Sequence, residues 1–155
     1  MRQQPTSRMC FVCGRQNPVG LKLRFYEEPG AEQVRADLMI PSEYQGYPGV
    51  VHGGIVSTIL DEVSGRAAMM RGGDERLLVT LRITVRFRRP TPTETALTAV
   101  GWVEQTSGIG AKVAGEIRLP DGKVTADCTS LLVEPPDEFR ETWAQEKPYW
   151  KVDDA

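Results

Sequence analysis

The segment His52-Gly53-Gly54-Ile55-Val56-Ser57-Thr58-Ile59-Leu60-Asp61-Glu62 brings together the chain's single histidine, a glycine pair and two adjacent carboxylates. Glycines at a helix start let a ligand approach the backbone without a Cβ in the way, and the first helical turn leaves N–H donors unpartnered within the helix. Such donors favour negative charge, so this turn can stabilise the oxyanion formed when a carbonyl is attacked. A carboxylate further along can activate the attacking water, and a histidine, titrating near pKa ~6.5, invites a general-base reading. Asp61 lies 9 positions past His52 (61 − 52). That is about 13.5 Å along a helix at about 1.5 Å per residue, too far for one chain's helix start and its own Asp61 to share a carbonyl. Between the two carboxylates, Glu62 stands four residues before Arg66, the favourable order for a surface ion pair on a helix. Asp61 has Ser57 and Gly65 at those spacings, which supply no cation and leave room for a ligand. Asp61 is therefore the candidate acid.

The elements that must position this segment follow from hydrophobic periodicity. Leu21, Leu23 and Phe25 alternate with Lys22, Arg24 and Tyr26, then Glu28-Pro29-Gly30 turns the chain and Val34, Ala36 and Leu38 alternate again, which predicts a first β-hairpin. A loop rich in proline and glycine, Pro41 to Gly49, delivers the chain to His52. From Ile55 to Met70 the period is helical, with Arg71-Gly72-Gly73-Asp74 as the stop. Val79, Leu81, Ile83, Val85 and Phe87 then alternate in a long strand ended at Pro90, followed by strand candidates over 95–104, 111–119 and 124–133. Two strands, one long helix and four strands in meander style predict an α+β fold: an antiparallel sheet of five to six strands wrapped around one central helix. The expected organisation is an ordered lead-in at 1–20, a main domain at 21–134 and a tail at 135–155. The tail has room for a short helix, and Asp153-Asp154-Ala155 is expected to fray.

Bulk properties narrow the function classes. At 155 residues, with 40% hydrophobic and 26% charged residues, the chain suits one globular domain. A formal net charge of −2 argues against nucleic acid as the main partner. The sequence has no apolar run of the ~20 residues that span a bilayer, and Met1 to Arg8 lacks the apolar centre of a secretory signal. Three cysteines, Cys10, Cys13 and Cys128, are too few for a disulfide framework. A cytoplasmic protein is expected.

The run Gly46-Tyr47-Pro48-Gly49-Val50-Val51-His52-Gly53-Gly54, ending in Leu60-Asp61-Glu62, resembles acyl-CoA thioesterases of the hotdog fold, in the phenylacetic-acid-pathway-like branch. The resemblance extends to Cys10-Phe11-Val12-Cys13-Gly14, to Asn17-Pro18-Val19-Gly20-Leu21, to Phe87-Arg88-Arg89-Pro90 and to Asp121-Gly122-Lys123, so it spans roughly Cys10 to Val133. It implies hydrolysis of an acyl-CoA without a cofactor, in a homodimer or a tetramer. Gly53 and Gly54 would supply the oxyanion donors, and Asp61 of the facing subunit would activate water, which resolves the spacing conflict. The resemblance gives His52 a role in shaping the turn beside the glycines. It also matches Thr80 to a Ser or Thr position that orients the nucleophilic water, although a strand threonine is often only a good β-former. Relatives with phenylacetyl-type activity carry an asparagine where this chain has Gly46, so the aryl-acetyl substrate does not carry over.

Two further groups bear on ligands. Arg86, Arg88 and Arg89 form a basic cluster before Pro90, and Arg88 and Arg89 are candidates for the phosphates of coenzyme A. A strand edge protected by charge is the other reading of this cluster. Cys10 and Cys13 look like half a zinc knuckle, but a four-coordinate site needs two more ligands, so packing of the lead-in is expected rather than a metal. A non-catalytic acyl-CoA binder is the alternative from a different class, which a thioester panel would reveal by binding without thiol release. A hydratase on the same fold is a third reading, opposed by the His52 to Asp61 spacing.

Overall fold

The apolar stripe that starts at Ile55 folds as one helix, α1 (Gly53–Gly72). The structure is a computed structural model that describes residues 1–72 and 76–152. Around α1 wraps one antiparallel sheet of seven strands: β1 (Arg2–Gln3), β2 (Tyr26–Glu28), β3 (Gln33–Leu38), β4 (Val79–Phe87), β5 (Leu97–Thr106), β6 (Gly110–Arg118) and β7 (Val124–Val133). Their spatial order is β1-β2-β3-β5-β6-β7-β4. The hotdog arrangement expected from the sequence is present, and α2 (Asp137–Glu146) is the short helix of the tail. Expectations placed on Gly73 and Asp74, and on Asp153 to Ala155, fall outside the described residues.

Three details differ from expectation. The strand count rises to seven because the lead-in adds β1, where Arg2 lies opposite Glu27 and its guanidinium makes two 3.0 Å bonds to that carboxylate. The first hairpin pairs only from Tyr26, opposite Arg35. Before that, the N–H groups of Leu21 and Leu23 donate to the carbonyls of Phe11 and Val12, and Lys22 sits at φ 53°, so the alternating side chains belong to a segment bonded to the cysteine turn. The last four strands do not form a simple meander: β5, β6 and β7 do, but β4 lies at the far edge beside β7. The connection from β4 to β5 is tied to the loop before α1, with Val51 N–H donating to the Thr91 carbonyl and Thr93 N–H to that of Gly49.

The core lies between α1 and the sheet. Val56, Ile59, Leu60, Val63 and Ala67 of α1 are buried with Val34, Ala36, Leu97, Ala99, Ile117 and Ala126 of the strands. Burying a side chain of the Val or Leu class contributes about 1.5–3 kcal/mol. The close approach of helix to sheet depends on Gly101 in β5, where a Cβ would lie 2.2 Å from the Val63 carbonyl oxygen. The tail straps back over the lead-in: Lys151 bridges Thr6, Arg8 pairs with Glu146 at 2.7 Å, and Trp150 meets Trp143 edge to face. Among the described residues no helix is long and apolar enough to cross a membrane.

Candidate active site

His52 caps α1. Its carbonyl accepts the N–H groups of Ile55 and Val56, and its Nδ1 accepts the Gly54 N–H at 2.9 Å. An imidazole that accepts through Nδ1 carries its proton on Nε2. The two expected oxyanion donors are thus not equivalent. Gly54 N–H is engaged by the histidine, whereas among the described residues Gly53 N–H has no partner. Gly46 packs against the same histidine, since a Cβ there would come 3.4 Å from the His52 Cα. Gly46, His52 and Gly53 line a groove of about 790 Å³, with Tyr47, Phe87, Arg88 and Arg89.

Asp61 lies two turns further along α1 and is half-buried. Thr80, from β4, donates a 2.7 Å hydrogen bond to Asp61 Oδ1, so the structure brings together two residues that sequence reasoning singled out separately. Burial pushes the Asp61 carboxyl above its ordinary value, the Thr80 bond opposes this, and the negative charge of Glu62 adds to the rise. Asp61 and Thr80 line a second cavity of about 340 Å³ with an apolar side made by Met69, Leu78 and Leu132. Gly65 opens onto that cavity, as its spacing from Asp61 suggested. The two cavities share no residue, so within one chain the glycine turn and the carboxylate are parts of separate sites.

Glu62 makes the expected ion pair with Arg66, at 2.8 Å, but not on the surface: Arg66 is buried and stacked between Phe25 and Trp150. The basic cluster is also divided. Asp127 of β7 bonds Arg86 at 3.0 Å and Arg88 as well. Arg89 is exposed at the groove rim and makes no salt bridge among the described residues.

Two features escaped the sequence reading. The register of β4 against β7 slips between Thr80 and Arg82, which makes Leu81 an extra residue in a bulge. Leu81, expected on the apolar face, is instead 67% exposed, and nothing in the clean alternation of Val79 to Phe87 signals the slip. Phe87, also expected inward, is 58% exposed, with its ring edge 3.5 Å from the place where a Gly53 Cβ would stand.

Known proteins share this framework. An acyl-coenzyme A thioesterase of Mus musculus is 27% identical over 90 residues, which cover 57% of this chain and 37% of that protein. The chain thus matches little more than a third of that curated relative's length. A solved thioesterase superfamily protein superposes with a TM-score of 0.75 at 32% identity, over 81% of this chain and 63% of its own. A phenylacetic acid degradation-related protein from Ralstonia eutropha shares the fold with a TM-score of 0.65 at 23% identity, over 73% and 85% of the two chains. Residues 48–126, which hold the glycine turn, Asp61 and Thr80, match the thioesterase superfamily, and the chain belongs to that family.

Proposed function

We propose that this chain is an acyl-CoA thioesterase that works as a homodimer. The observation that carries the reading is the Thr80 to Asp61 hydrogen bond beside a cavity with one apolar side, set apart from the Gly53 N–H, which has no partner among the described residues. The thioester oxygen accepts the Gly53 N–H of one subunit, while the Gly54 to His52 bond holds that turn in shape. Asp61 of the other subunit, oriented by Thr80, takes a proton from water as its oxygen attacks the carbonyl carbon. The carbon–sulfur bond then breaks, and the proton passes to the departing thiolate. The side made by Met69, Leu78 and Leu132 suits an acyl group, and the groove rim with Arg89 suits the phosphates of coenzyme A. The name of the murine relative supports that choice of thiol.

The edge position of β4 supports the dimer. β4 runs opposite to α1, because Thr80 touches Asp61 while Phe87 approaches Gly53. If β4 pairs antiparallel with β4 of a second copy about an axis near Ile83 and Thr84, Thr80 stands level with the partner's Phe87. The partner's Gly53 then comes beside Asp61. Exposed Leu81 and Phe87 on an unpaired strand edge suit such an interface.

The direct test is thiol release from a panel of acyl-CoA esters by the wild-type chain and by Asp61→Asn. Turnover by the wild type and a loss of about a hundredfold or more in the variant are expected for removal of a general base. An Asp61→Asn variant of undiminished turnover contradicts the proposal.

A further inference from the structure

Glu62, next to the candidate acid on α1, meets the two cysteines of the lead-in. Cys10 Sγ, Cys13 Sγ and a Glu62 carboxylate oxygen all lie within 4.8 Å of one another. We propose that Cys10, Cys13 and Glu62 form a zinc site of two thiolates and one carboxylate, with water as the fourth ligand. Tetrahedral zinc with bonds of about 2.3 Å to sulfur and about 2.0–2.2 Å to oxygen spans donor separations of this size. Two thiolates favour zinc over calcium or magnesium.

The surroundings are built as a metal site needs. Val12 N–H donates to Cys10 Sγ at 3.3 Å, and the Ser7 hydroxyl, which accepts the Cys10 N–H, lies 3.8 Å from Cys13 Sγ with its own proton available to that sulfur. Gly14 closes the turn so tightly that a Cβ there would lie 2.4 Å from the Cys10 carbonyl oxygen. The carboxylate is aimed by Arg66, which is fixed in turn by its bond to the Pro5 carbonyl and by Phe25 and Trp150. Charge also balances: two thiolates and one carboxylate give −3, and a divalent cation with Arg66 gives +3. Cys10 is partly exposed and offers an entry path. C-x-x-C alone supplied only two ligands; the third comes from α1, 49 positions after Cys13 (62 − 13). The cation would staple the lead-in to the helix turn that carries Asp61, and the site stands independently of the proposed reaction.

The test uses the untagged full chain, kept reduced, incubated with zinc and exchanged into metal-free buffer, with cobalt substitution in parallel. About one metal per chain and a thiolate-to-cobalt charge-transfer band are expected. Glu62→Gln, which keeps both sulfurs, is expected to weaken zinc binding at least about tenfold, and Cys10→Ser to abolish stoichiometric binding. Wild-type chain that folds and retains no zinc overturns the proposal, as does zinc content unchanged in Cys10→Ser. A Cys10–Cys13 disulfide forming readily in chain that takes up no metal overturns it in favour of a redox pair.

Discussion

At the scale of single residues, the Thr80 to Asp61 contact holds one carboxylate oxygen, Oδ1, against the strand. Thr80→Val removes that bond from an exposed position, so kcat is expected to fall about tenfold with KM unchanged and the fold intact, given the strength of a hydrogen bond to a charged group. Thr80→Ser restores most of the rate, and steady-state kinetics on one acyl-CoA checks both. The arginines separate in the same way: Arg89→Ala should raise KM for acyl-CoA severalfold but leave a truncated thioester unaffected, whereas Arg88→Ala does less, because Asp127 already holds Arg88. Asp127 also sets an acid dependence. Burial pushes its carboxyl up, but the bonds from Arg88 and Arg86 outweigh that and hold it below its ordinary value. Its contribution to stability is therefore complete above the unfolded carboxyl's pKa, about 3.9, and is lost as pH falls through the lower folded value. Asp127→Asn should flatten the acid limb of a melting-temperature profile in that window. Asp61 and the histidine turn could be singled out as candidates from local signals, residue type and helix spacing, whereas Thr80 came from the family resemblance, and its contact with Asp61 joins the two. The engagement of Gly54 by His52 and of Arg88 by Asp127 was not, since a side chain's choice of partner depends on geometry that spacing does not encode.

Among the elements, α1 and the later strands could be read from periodicity, while the edge could not. Alternation in Val79 to Phe87 describes a strand with one apolar face, and it is silent on the bulge that turns Leu81 out and on which neighbour the strand chooses. Leu21 to Phe25 alternate equally well, yet their backbone belongs to the cysteine turn, because Lys22 leaves the extended region. The exposed edge of β4 is where assembly is expected. Thr84 is exposed near the inferred two-fold axis, so Thr84→Arg places like charges against each other there. Sedimentation should then show monomer, with a melting temperature close to that of the wild type and activity at least tenfold lower. Inside the fold, Gly101→Ala drives a Cβ into the Val63 carbonyl and should cost about 1–3 kcal/mol in denaturant unfolding, separating β5 from α1.

For the whole molecule, we propose that a working site takes its oxyanion donor from one subunit and its carboxylate from the other. The distance along α1, the two separate cavities and the unpaired edge of β4 all lead to it. Two variants isolate the halves. Asp61→Asn removes the acid, and Gly53→Pro removes the free N–H at the first helical position, where proline suits the helix. Each variant alone should be nearly inactive. Unfolding the two together and refolding them as a mixture gives half heterodimers, each with one intact site of two, so activity should recover to about a quarter of the wild-type value. A mixture no more active than either parent, with heterodimers present, rules out a shared site and returns catalysis to a single chain.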